Sequence, residues 1–131
     1  MATLNKLTVT IAAGQFLSNT VDPAGNFVVG LIMPLAWTPA RVSVVISVDG
    51  INYYDLFRFG DDTTTAVEFK FNVTPHAILA INPDTMLMAR YFKLRSGTRD
   101  EPVVQEAART FGVITVNRVT VQSLPAGEPT E

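Results

Sequence analysis

Between Ile46 and Leu56 the chain reads Ile-Ser-Val-Asp-Gly-Ile-Asn-Tyr-Tyr-Asp-Leu. This is one strand, an Asp49-Gly50 turn and a second strand. Asp-Gly flanked by alternating apolar residues is among the strongest short-range hairpin signals, because the turn needs backbone angles that glycine adopts without a Cβ clash. A chain that reverses direction this tightly, and alternates on both sides of the reversal, is committed locally to antiparallel sheet.

The rest of the sequence repeats the same period of two. Leu7, Val9 and Ile11 alternate with Thr8 and Thr10. Val42, Val44 and Ile46 alternate with Ser43, Val45 and Ser47. Val67, Phe69, Phe71 and Val73 point inward, with Glu68 and Lys70 outward. Phe27 to Ile32 is almost continuously apolar, bounded by Asp22-Pro23-Ala24-Gly25 and by Pro34; such a run suggests a strand buried on both faces. Ala77 to Ile81 is short and apolar and is broken by Asn82-Pro83-Asp84. Met88 to Ser96, Phe111 to Val116 and Arg118 to Leu124 complete the set. Val103 to Arg109 has helical propensity, but seven residues without caps do not sustain a helix, so a loop or bulged strand is expected. Turn signals about every ten residues predict an all-β antiparallel sandwich of about eight strands. Its expected core is Val44, Ile46, Phe69, Phe71, Phe92, Leu94 and Ile114.

A chain of 131 residues is most simply one domain, here residues 1–123 with a short N-terminal arm, Met1 to Lys6. Residues 124–131, with two prolines and a glycine, read as a flexible tail. Charged residues are 17% of the chain, against about 25% in ordinary domains. That deficit suits a surface partly hidden against a partner, and equally suits a compact β domain. The net charge is −2, and the seven arginines and three lysines are scattered. A basic nucleic-acid footprint is not expected. Cysteine is absent, which removes disulfides, thiolate metal sites and a thiol nucleophile. No apolar run of about 18 residues predicts a membrane span, and the first residues lack the apolar stretch of a secretory signal.

Few residues offer chemistry. His76 is the sole histidine; beside Pro75 it reads as a solvent-facing loop residue, since a base or zinc site needs partners. Asp61 and Asp62, with Asp55 upstream, form either a hard-cation site or a plain polar connection. Gly25 and Gly30 precede strand rather than helix and are no phosphate loop. Trp37, between Pro34 and Pro39, is either an exposed platform for a sugar or protein or a lid on one end of the sandwich. Tyr53, Tyr54 and Phe57 share that ambiguity, with Tyr53 and Tyr54 on opposite faces. No catalytic, cofactor or metal residue is expected.

Two segments resemble known modules. Ser47 to Leu56 resembles the Asp-Gly hairpin of discoidin and carbohydrate-binding jelly-rolls, and Ala89-Arg90-Tyr91-Phe92-Lys93-Leu94 resembles a strand of the same modules. The wider arrangement over residues 14–117 is similar to small structural proteins of tailed phages. Val21-Asp22, Met33-Pro34, Ala36-Trp37-Thr38, Leu94 to Thr98, Pro102-Val103, Gln105 and Arg109 to Val116 carry that likeness. The resemblance implies a jelly-roll and a non-enzymatic virion protein made in the host cytoplasm. Such a protein would be a capsid decoration or cement protein on the phage head, bound to the major capsid protein as a homo-oligomer and possibly a trimer. The alternative implied is a carbohydrate-binding module on the virion or tail. Discoidin-like sandwiches often hold a structural calcium, which bears on Asp61 and Asp62.

Overall fold

The computed structural model describes residues 3–60 and 64–117. The expected Arg118–Leu124 strand and the tail 124–131 lie outside these described residues, as do Asp61 and Asp62. The fold is nearly all β, with every strand pairing antiparallel. In chain order the strands are β1 (Leu4–Ile11), β2 (Phe27–Ile32), β3 (Val42–Ser47), β4 (Tyr54–Asp55), β5 (Phe57–Phe59), β6 (Ala66–Glu68), β7 (Lys70–Phe71), β8 (Ile78–Ala80), β9 (Tyr91–Ser96) and β10 (Arg109–Val116). A 3-10 turn, Pro83–Met86, follows β8. Its first turn is capped by Asn82, whose side chain accepts from the Asp84 N–H at 3.0 Å.

The first sheet runs β1-β10-β2-β8. The second is centred on β3, with β9 along one side and β4 and β7 sharing the other. β5 and β6 form a small ribbon. Ten strands stand among the described residues where about eight were expected, because two sequence strands are each split. The chain turns inward at Leu56, between β4 and β5, and at Phe69, between β6 and β7; the Phe69 N–H donates to the Leu56 carbonyl at 2.8 Å. Leu4 to Lys6, expected in a loose arm, instead open β1 and pair with Val116 to Ile114. Residues 103–108 are loop.

The core lies between the sheets. Val9, Ile11, Val28, Leu31, Phe111 and Val113 come from the first, and Val42, Val44, Phe92 and Leu94 from the second. Burying a large apolar side chain of this kind contributes about 1.5–3 kcal/mol. Val44, Phe92 and Leu94 are buried as expected, and Ile46, Phe69 and Phe71 pack on the core half-buried. Ile114 is a correction: it lies on the outer face, because Phe111, Val113 and Thr115 take the inner one. Val113 and Ile114 are adjacent and both apolar. Alternation alone could not say which faced in, and a one-residue change of phase flips a whole strand.

The hairpin is centred on Gly50 but is wider than a two-residue turn. The last β3–β4 pair is Ile46 with Tyr54, so Ser47 to Tyr53 arch between them. The Asp49 carboxylate organises the arch, accepting from the Ile51 and Asn52 N–H groups at 2.8 Å each, from the Asn52 side chain at 3.0 Å and from the Ser47 hydroxyl at 3.0 Å. The Ser47 hydroxyl oxygen accepts from the Gly50 N–H at 2.8 Å. Gly50 sits at φ +80°, and a Cβ there would stand 3.1 Å from the Tyr91 ring.

The Asn52 and Ile51 N–H groups, then the Asn52 side chain, hold the Asp49 carboxyl far below the ordinary carboxylate range. A depressed folded-state value means the carboxylate adds stability above the unfolded-state value, about pH 4, and loses it as pH falls toward its own. Urea unfolding of wild type and Asp49→Ala at stepped pH should therefore show a gap that is full at neutral pH and closes steadily below about pH 4. A gap independent of pH would contradict this account.

Candidate interaction surface

The residues singled out in the sequence do not converge on one centre. His76 is exposed in the turn before β8, at φ +57°, with its backbone N–H on the Pro34 carbonyl. Trp37 resolves as the lid. It is 9% exposed, its ring meets Phe111 edge-on at 5.3 Å, and its Nε1 donates to the Ala40 carbonyl at 3.1 Å. A buried indole is no stacking platform, so Trp37 itself does not serve the sugar-binding alternative. Tyr53 bonds Thr20 through its hydroxyl at 3.0 Å and lies under the Lys93 ammonium. Tyr54 is exposed, and Phe57 lies under the Arg99 guanidinium.

Asp55, the carboxylate upstream of Asp61 and Asp62, is engaged with arginines. Its Oδ1 takes Arg95 Nη1 at 2.7 Å and its Oδ2 takes Arg99 Nε at 3.3 Å. Arg95 is buried and also reaches Glu68 Oε2 at 2.7 Å and the Ser43 hydroxyl at 2.8 Å. Ser43 in turn donates to the Gly97 carbonyl, and Glu68 accepts from the Arg99 N–H. Among the described residues no cluster of three or more His, Asp and Glu is arranged to hold a metal. The carboxylates serve the guanidinium.

A second polar knot has no periodic signature in the sequence. Gln105 is fully buried. Its Oε1 accepts from the Thr38 N–H at 2.9 Å and from Arg109 Nε at 3.0 Å, and its Nε2 donates to the Thr38 carbonyl and to Ser96 Oγ. It pins the Trp37 loop to the ends of β9 and β10. A lone glutamine in a loop carries no periodic signal, so only the structure reveals it.

What remains open is one side of the sandwich. On the other side, Phe16 to Val21 bonds both β9, at Phe92, Leu94 and Ser96, and β1, at Thr10 and Ile11, closing the gap between sheets. Between β7 and β8 nothing described closes it. A cleft of about 390 Å³ lies there, lined by Phe69 and Phe71, Leu79 and Ile81, with Asn72, Asn82 and Thr85 at its rim. The two phenyl rings are tilted with centroids 5.5 Å apart. The Ala77 carbonyl and the Ile81 N–H bond back to β2. Strand alternation then turns the N–H and C=O of Ile78 and Ala80 away from β2, to the unpaired edge. Apolar wall and unsatisfied edge thus stand side by side. Beyond Phe71 a shallower concavity is lined by Arg41, Arg58 and Lys70.

Comparison of the chain with protein-family models, with curated proteins and with solved structures returns no match.

Removing one partner of a buried, hydrogen-bonded ion pair leaves an uncompensated charge, at a cost of about 3–5 kcal/mol. Glu68→Ala leaves Arg95 with Asp55 as its one remaining carboxylate, so the loss of unfolding free energy should be substantial but at most about that amount. The exposed substitution Arg90→Ala, which breaks the surface pair with Asp22 and an exposed contact over the Tyr91 ring, should cost about 1 kcal/mol or less. Denaturant melts of the two variants decide; equal losses would mean that the Arg95 cluster is not a structural centre.

Proposed function

We propose that the chain is a non-enzymatic structural protein that docks on a larger protein assembly, taking an extended apolar segment of its partner into the β7–β8 cleft. The assembly that fits best is the head of a tailed phage. The partner is then its major capsid protein, and the role is that of a decoration or cement protein on the virion surface.

One observation carries the reading: an apolar cleft that runs beside an unpaired strand edge. Main-chain groups of Ile78 and Ala80 would supply affinity for any extended segment by strand addition, and Phe69, Phe71, Leu79 and Ile81 would select apolar side chains. The low charged fraction and the likeness of residues 14–117 to phage structural proteins add to it. A protein bound to the assembled shell but not to its separated subunits stabilises the shell by mass action.

Purified full-length protein mixed with undecorated phage heads should co-sediment with them and raise their resistance to heat. Asn72→Trp and Thr85→Trp, which fill the cleft from two sides, should lower bound protein at least tenfold while the melting temperature of the free protein stays within a few degrees. Binding unaffected by both fillers would remove the cleft from the proposal. A wild-type protein that ignores heads altogether would remove the capsid role.

A further inference from the structure

In a free-standing antiparallel sheet, one face meets the core and the other is polar. The first sheet breaks that rule. Its outward residues fall in register rows across β1, β10, β2 and β8. One row is Lys6, Ile114, Gly30 and Ala80, and the next is Thr8, Gly112, Ile32 and Ile78. Leu4 and Val116 extend the face at one end. At the other end it turns polar, where the Thr10 and Thr110 hydroxyls share a hydrogen bond. Leu4 is 68% and Ile78 69% exposed. Among the described residues the one charge on the face is Lys6, at the margin.

The composition of β2 makes the same point from the sequence. Its unbroken apolar run calls for burial on both sides, yet the core covers only the face of Val28 and Leu31. Among the described residues, nothing gives Ile32 and its neighbours a second layer.

The middle of the face has a pattern. Ile114 on β10 sits directly across from Gly30 on β2, and Gly112 on β10 directly across from Ile32 on β2. Isoleucine and glycine therefore occupy opposite corners of a small square. The packing inside the chain is already close: a Cβ on Gly112 would meet Ile32 at 3.0 Å, and one on Gly30 would meet Ile114 at 3.4 Å. With no side chain at either glycine, the face stays low there and raised at the two isoleucines, and at Gly112 a Cβ would crowd Ile32.

We propose that a second copy of this chain covers this face, through a two-fold axis parallel to the strands and lying between β10 and β2. That operation exchanges β10 with β2 and β1 with β8. Ile114 then stands over the partner's Gly30 and Ile32 over the partner's Gly112, so each ridge meets a low point. Lys6 falls over Ala80 at the margin, where its ammonium stays in water, and Thr8 falls over Ile78. The same patch serves both copies, as a two-fold contact requires. Two sheets meeting this way pack about 10 Å apart. Four strands about 4.8 Å apart make a face roughly 20 by 25 Å, at the small end of specific interfaces. It stands independently of the capsid reading, since it needs no shell.

Analytical ultracentrifugation of the full chain, well above micromolar concentration, should give a concentration-dependent dimer. Ile78→Lys and Ile114→Lys should each weaken it at least tenfold, while Ile51→Lys, equally apolar and 81% exposed in the Asp49 arch, leaves it unchanged. Because the chain has no cysteine, the register is directly testable. Thr8→Cys and Ile78→Cys chains mixed together should be joined by a short bis-maleimide reagent, and far less so when either is treated alone. A wild-type chain that stays monomeric overturns the proposal. So does a dimer indifferent to Ile78→Lys and Ile114→Lys, or one that cross-links equally well in the unmixed samples.

Discussion

One guanidinium, that of Arg95, ties the second sheet together. It sits on β9 directly opposite Ser43 of β3 and reaches Asp55 of β4 and Glu68 of β6. Three of its five N–H donors are thereby matched to oxygen, each at 2.7–2.8 Å. Taking these charges from water is costly, so the cluster adds less to net stability than its short distances suggest. Its effect is on register. A one-residue slip of β9 would replace Arg95 by Leu94 or Ser96 and leave two carboxylates without their cation. The cluster also fixes the turn after β9. Ser43 holds the Gly97 carbonyl and Glu68 holds the Arg99 N–H, so residues 97–102 are tied to the same guanidinium. Gly97, at φ +93°, brings its Cα so close that a Cβ would stand 2.4 Å from the Glu101 carbonyl oxygen.

Strand phase was legible wherever apolar residues truly alternate. Val44, Phe92 and Leu94 face the core because Ser43, Val45, Lys93 and Arg95 leave one consistent inner set. It was not legible in β10, where Phe111, Val113, Ile114 and Val116 offer apolar residues in both phases. The Asp49-Gly50 hairpin was legible as a reversal but not in its width. That depends on the Ser47 and Asp49 side chains replacing ladder bonds with local ones, a competition these residue types enter readily. The Arg95 cluster and Gln105 were illegible for another reason. Glu68 and Asp55 lie 27 and 40 positions from Arg95, and Thr38 lies 67 from Gln105. Nothing local marks such pairings before the sheets bring them together.

The two outer edges of the first sheet are treated differently, and the difference bears on how the molecule meets others. On β1 the Thr10 N–H bonds the Asn19 side chain, and the Asn19 N–H bonds the Thr10 carbonyl, so one end of that edge is covered. Further along stands Lys6, the residue type that most discourages a second strand from pairing. On β8 neither device is present: Ile78 and Ala80 are apolar, uncharged and exposed, and no described segment runs beside them. The bare edge adjoins the cleft on one side and the apolar outer face on the other, with Ile78 and Ala80 belonging to both. Substitutions at these two residues therefore mix the two surfaces. Asn72 and Thr85 touch only the cleft, and Ile114 only the outer face, so those positions separate binding of an extended segment from self-association.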